Sequence, residues 1–118
     1  MITIEQLKEI QQRADKLKQY LAIDEKRVQL EEEELRTQDP GFWEDAKAAE
    51  VQMRKVKGIK AWIEGYEGVR SATEELQLAF DYCKEELVTE DEVDTAYAHA
   101  VKEVEALEMK NMLSHEED

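Results

Sequence analysis

The stretch Gln38-Asp39-Pro40-Gly41-Phe42-Trp43-Glu44-Asp45 decides how the chain on either side is read. It holds the only proline, one of four glycines and one of two tryptophans. Proline lacks an N–H and biases the residue before it away from helical backbone. A helix arriving from the N-terminal side should therefore stop by about Gln38. Pro40 suits the first position of a new helix, with Asp39 as its N-cap. Phe42 and Trp43 then supply a large apolar anchor. The expectation is a helix–helix corner closed by a buried aromatic plug, at which Trp43→Ala would cost about 3–5 kcal/mol.

N-terminal to the corner, one long helix is expected over 4–37. Thr3 and Gln6 have capping-box spacing, and Ile2 can staple onto Leu7. Leu7, Ile10, Ala14, Leu17 and Leu21 step by three and four, and the same frame runs on through Asp24, Val28, Glu31 and Leu35. This is a heptad seam with two acidic interruptions, so its far half packs less tightly or against another partner. Ile23 and Leu30 make a second, weaker stripe. Glu9–Arg13 and Glu32–Arg36 are i,i+4 pairs in the favourable order. The run Glu31-Glu32-Glu33-Glu34 points around a helix rather than at one ion, and reads as a solvated face.

C-terminal to the corner, a second helix carries Ala46, Ala49, Met53, Val56, Ile59 and Ile63. The basic cluster Arg54-Lys55-Val56-Lys57-Gly58-Ile59-Lys60 fits a cationic face set against the acids of helix one. From Trp62 a new seam runs through Tyr66, Val69, Thr73, Leu76, Phe80, Cys83 and Leu87. The frame shifts where Gly58, Gly65 and Gly68 lie, so a kink or break is expected there. Thr89 and Glu92 form another capping box, with Val88 stapling onto Val93. The third seam is Val93, Tyr97, Ala100, Val104, Leu107 and Asn111, with Val101 and Leu113 widening it. The chain then runs into a polar tail, Ser114 to Asp118.

These 118 residues are read as a single helical domain with few glycines and 39% charged side chains. The expected fold is all-α: an elongated antiparallel three-helix bundle with coiled-coil-like seams and a short extra helix near residues 40–47. A net charge of −14 disfavours nucleic acids and anionic membranes as direct partners, and suits a basic protein partner or simple solvation. The heptad seams also allow self-association. One cysteine, Cys83, rules out an internal disulfide and fits a reducing, cytoplasmic setting. No apolar run approaches the ~20 residues of a membrane helix.

The chemical inventory is thin. There is no glycine-rich phosphate loop, no histidine pair at metal spacing and no nucleophile–base set. Cys83 sits on a seam and reads as a small buried apolar residue. His99 lies off its seam and should be exposed. No catalytic, cofactor-binding or metal-ligating residue is singled out, and no cofactor is expected. The residues point to an interaction domain rather than an enzyme.

A resemblance sharpens this. Tyr20-Leu21-x-Ile23-Asp24-x-Lys26, then Leu30-Glu31, then Asp39-Pro40-x-Phe42-Trp43-x-Asp45, is similar to the amino-terminal helical domain of bacterial peptide chain release factor 2, a class I release factor. Glu105-Ala106-Leu107-Glu108 followed by Met109 to Leu113 resembles the last helix of that domain. The resemblance extends from about Leu7 to Ser114. It implies a part in translation termination at UGA and UAA codons. It also implies docking near the GTPase-associated region of the ribosome, in interplay with the class II release factor GTPase. In the family, codon reading and peptidyl-tRNA hydrolysis rest on Ser-Pro-Phe and Gly-Gly-Gln motifs in other domains. Neither motif has matching positions here, so no catalytic residue carries over, and the chain is expected to be a fragment of a longer factor. The rival reading is a free-standing acidic helical-bundle adaptor or nucleic-acid mimic, which the net charge favours.

Overall fold

A computed structural model describes residues 1–116, and every regular element in them is helical. Four α-helices are present: α1 Ile4–Tyr20, α2 Ile23–Arg36, α3 Ala46–Lys84 and α4 Glu90–Glu116, with a 3-10 turn at Phe42–Glu44 between α2 and α3. The polar tail is helical as far as it is described, and Glu117 and Asp118 lie outside the described residues. The chain comprises two compact units, Met1–Leu21 with the chain from Tyr66 onward, and Ala22–Gly65.

The first unit is a three-helix bundle of α1, the C-terminal half of α3 and α4. The Thr3 hydroxyl accepts from the Gln6 N–H at 3.1 Å, and the Thr3 N–H donates to Gln6 Oε1 at 2.8 Å, so the capping box starts α1 as expected. The same box opens α4: the Glu92 N–H reaches Thr89 Oγ1 at 3.1 Å and the Thr89 N–H reaches Glu92 Oε2 at 2.8 Å. The expected seams form the core. Leu7, Ile10, Ala14, Leu17 and Leu21 are buried with Tyr66, Val69, Thr73, Leu76 and Phe80, and with Val93, Ala100, Val104 and Leu107. Their spacing lays one apolar stripe along each helix, and three such stripes close on one another. Polar pairs fix the directions. The Ile2 N–H donates to Asp94 and Arg13 grips Glu108, so α1 and α4 run parallel. Gln11 meets Gln77, and the Cys83 thiol faces the Met1 sulfur, so α3 runs antiparallel to α1.

The second unit is a hairpin of α2 and the N-terminal half of α3 around Ile23, Ala49, Val56 and Ile59. Here four expectations give way. The single helix over 4–37 is broken, because Ala22 takes left-handed backbone at φ 49°, ψ 53°. The break re-phases the helix. In an unbroken helix Asp24, Val28, Glu31 and Leu35 would follow Leu21 into the core. Instead Ile23 is buried, with Lys26, Leu30, Glu33 and Thr37 following it inward at three- and four-residue steps, while Val28 and Leu35 face solvent. One residue in αL thus exchanges an acid-interrupted face for one that begins on isoleucine.

The second correction concerns where α3 begins. Asp39 and Pro40 do not open it. The chain leaves α2 through Thr37, Gln38 and Asp39, each donating its N–H back three residues, and turns again where the Phe42 N–H meets the Asp39 carbonyl at 2.9 Å. Asp45 is the cap, accepting from the Ala48 N–H at 3.1 Å. The short element expected near residues 40–47 is the 3-10 turn. Third, α3 is not broken at its glycines and is helical throughout its 39 residues. The frame shift is real but is absorbed within a continuous helix: inward positions step 49, 52, 56, 59, 63, then take two successive steps of three through 66 and 69. Met53, expected on the seam, is exposed and Gln52 faces in. Fourth, the plug is not buried: Trp43 is 66% exposed.

Leu87 also leaves its seam. A Schellman motif ends α3 at Lys84: the Leu87 N–H meets the Tyr82 carbonyl at 3.0 Å and the Glu86 N–H meets the Cys83 carbonyl at 3.0 Å, with Glu86 at φ 62°. The chain has turned away before Leu87, which is exposed, as is Leu113.

Candidate functional site

The second unit carries the two features that distinguish this surface from a plain helical face. The first is Glu33, whose side chain is only 7% exposed although it belongs to the run Glu31 to Glu34. The solvated-face reading holds for Glu31 and Glu32 and fails for Glu33, because the re-phased α2 turns that position onto α3. The Gln52 amide donates to Glu33 Oε2 at 2.7 Å and to the Glu33 carbonyl at 3.0 Å. Lys55 Nζ stands 3.3 Å from the carboxylate and Arg36 Nε 3.7 Å. The Gln52 hydrogen bond above all, then Lys55 and Arg36, holds the Glu33 carboxyl below the ordinary glutamate value, against burial, which pushes it up. A buried carboxylate is tolerated because its lone pairs are satisfied from α3.

The basic cluster is therefore partly turned inward. Lys55 serves Glu33 and Lys60 lies 3.5 Å from Glu34, which is the expected match of a cationic face to the acids preceding the corner. Arg54 pairs with Glu50 one turn away at 2.9 Å. Lys57 is exposed on a shallow hollow lined also by Met53, Arg54 and Lys60. Lys26 sits over the Trp62 ring at 5.9 Å. With two of its lysines engaged on α2, the cluster is too narrow a footprint to track a phosphate backbone.

The second feature is the corner itself. Phe42 and Trp43 meet edge to face, ring centroids 4.7 Å apart and planes at 86°. Phe42 is half-buried and Trp43 points to solvent, and Asp39, Glu44 and Asp45, within four residues of it, are exposed. Sequence spacing did not anticipate Glu33, and it singled out Trp43 as a buried plug rather than an exposed ring. Glu33 was readable from the 23, 30 stripe extended by three. Trp43 carries a weaker signal, three carboxylates within four residues of the ring.

Among the described residues no group of three or more His, Cys, Asp or Glu is placed to hold a metal ion. His99 is exposed and Cys83 half-buried, its sulfur 3.6 Å from that of Met1. No helix of the described residues is long and apolar enough to cross a membrane.

No protein-family model matches the chain. Over 98% of its length it is 29% identical to peptide chain release factor 2 of Pseudoalteromonas translucida (strain TAC 125). The alignment covers 32% of that protein, so the chain spans about one third of the length of the relative it matches.

Proposed function

We propose that this chain is the helical docking domain of a type-2 peptide chain release factor, acting in translation termination at UGA and UAA codons. The observation that carries the reading is the end-to-end similarity to peptide chain release factor 2 over one third of that protein's length. The all-helical architecture accords with a docking module. On this reading the domain meets the ribosome at its GTPase-associated region and works beside the class II release factor GTPase, in the cytoplasm. Codon recognition and ester hydrolysis belong to other domains, and this chain is no enzyme by itself.

The test is direct. Added alone to ribosomes programmed with UGA and carrying formyl-methionyl-tRNA, the chain should release no formyl-methionine, yet should co-sediment with the ribosomes. Release by the chain alone, or a failure to co-sediment, overturns the proposal. A second reading, a free-standing acidic adaptor or nucleic-acid mimic, is favoured by the net charge of −14. The genomic reading frame discriminates: continuation past Asp118 into a Gly-Gly-Gln domain favours the first, and a stop codon favours the second.

A further inference from the structure

Burying an indole is among the most favourable single contacts a surface can make, and tryptophan is enriched at the energetic centres of protein interfaces. Trp43 is 66% exposed, so its own fold uses little of that capacity. It is also held in place. Phe42 braces it edge to face at 4.7 Å, and the 3-10 turn is closed by the Phe42 N–H to Asp39 and the Glu44 N–H to Gly41, at 2.9 and 3.2 Å. A ring already ordered gives up little side-chain freedom when it is covered.

The rim defines the partner. Asp39, Glu44 and Asp45 are exposed within four residues of Trp43, and Lys47 lies one turn into α3. Three carboxylates beside one lysine repel phosphates, which disfavours RNA. The anion-attracting N-terminus of α3 is already occupied by Asp45, which accepts from the Ala48 N–H. A second copy would bring the same carboxylates onto their like, in a chain of net charge −14. What complements an aromatic anchor inside an acidic rim is a protein with an apolar slot bordered by lysine or arginine.

We propose that the corner Asp39–Asp45 is a docking surface for a basic protein, whose apolar slot takes the Trp43 indole while its cations meet Asp39, Glu44 and Asp45. This deepens the docking reading above, and rests on it for placing that protein on the ribosome.

The experiment is fluorine NMR of the full chain labelled with 5-fluorotryptophan, its Trp43 resonance assigned by Trp43→Phe. The probe is the RNA-free pool of proteins from large ribosomal subunits, which is strongly basic. The pool should shift or broaden the Trp43 resonance, and Asp39→Asn with Glu44→Gln should weaken the response several-fold. Asp45 is left intact because it caps α3. Ribosomal RNA, polylysine and a raised concentration of the chain itself should leave the resonance in place. No response to the pool, or a response to any of those three, overturns the proposal. Co-sedimentation with intact ribosomes separates the two readings. If the chain does not co-sediment, the docking reading falls and the pool titration still decides the corner. If wild type and Trp43→Ala co-sediment equally, the corner falls and the docking reading stands.

Discussion

Ala22 and Glu86 both hold left-handed backbone, at φ 49° and 62°. For a residue with a Cβ this conformation costs roughly 1–2 kcal/mol, and glycine is free of that cost. Each marks the end of a helix whose continuation would bury the wrong face, so the strain is offset by what the turn brings inside. Ala22→Gly and Glu86→Gly should each stabilise the chain by about 0.5–1 kcal/mol, after the larger unfolded-state entropy of glycine is subtracted. Urea denaturation measures this, and a loss of stability at Ala22→Gly would mean that its left-handed turn is not what the native chain adopts. Glu33 makes a prediction of another kind. Its folded carboxyl lies below the ordinary glutamate range, chiefly through Gln52, so the folded state takes up its proton less readily than the unfolded chain. Its stabilisation is complete above the ordinary value of about 4.3 and is lost as the pH falls below it. The urea midpoint should therefore drop between pH 5 and pH 3 more steeply in wild type than in Glu33→Gln. Parallel curves for the two proteins would remove Glu33 from the acid response.

At the scale of the element, α3 holds Gly58 and Gly68 in its interior without a break. The two differ in what surrounds them. A Cβ at Gly58 would meet nothing within 4 Å, whereas one at Gly68 would stand 3.1 Å from Glu103 Oε2 of α4. Gly58→Ala should accordingly stabilise the chain by about 0.5–1 kcal/mol. Gly68→Ala should gain less, because the Glu103 carboxylate has to move, and should regain the full effect in a Glu103→Ala background. Thermal denaturation of the four variants and wild type tests this, and an equal gain at both glycines would contradict the close approach. The same helix shows what the sequence made legible. The steps from Tyr66 to Phe80, and those of α1 and α4, report burial because each of these stripes is apolar almost throughout and faces one bundle. The capping boxes at Thr3 and Thr89 are legible because their chemistry is local. The break at Ala22 is hidden, since alanine favours helix and nothing nearby resembles a stop signal. With the break unseen, α2 is read in the wrong phase, and Glu33 passes for a solvent residue. Trp43 is misread for a related reason: a large aromatic after a proline turn is ordinarily core, and spacing alone does not show how much wall is available to cover it.

For the molecule as a whole, the uneven distribution of its core carries the last prediction. The bundle buries Leu7, Ile10, Leu76, Val69, Val93 and Val104 almost completely, on three helices that each contribute a full stripe. The hairpin of residues 22–65 buries Ile23, Ala49, Val56 and Ile59, and the next fully buried position of α2 is a carboxylate, Glu33. Apolar burial contributes about 25 cal/mol per Å², so the thinner core leaves less to oppose local opening. The polar clamp of Glu33, Gln52 and Lys55 does not replace what is missing, because its hydrogen bonds are exchanged for bonds to water when it opens. Native-state hydrogen exchange should then resolve two levels of protection. Amides of α2 and of α3 between Ala49 and Ile63 should exchange through openings of lower free energy than those of α1, α4 and α3 beyond Tyr66. Glu33→Ala should accelerate exchange in the first set and leave the second unchanged, while Leu76→Ala, which removes a fully buried side chain, should destabilise the bundle by about 2–5 kcal/mol. If every amide shared one opening free energy and responded alike to both substitutions, the chain would fold as one cooperative unit and the difference between the cores would have no energetic consequence. With two levels, the exposed Trp43 corner sits on the part of the chain that opens more readily, where a partner covering the ring would add protection to α2 and early α3 first.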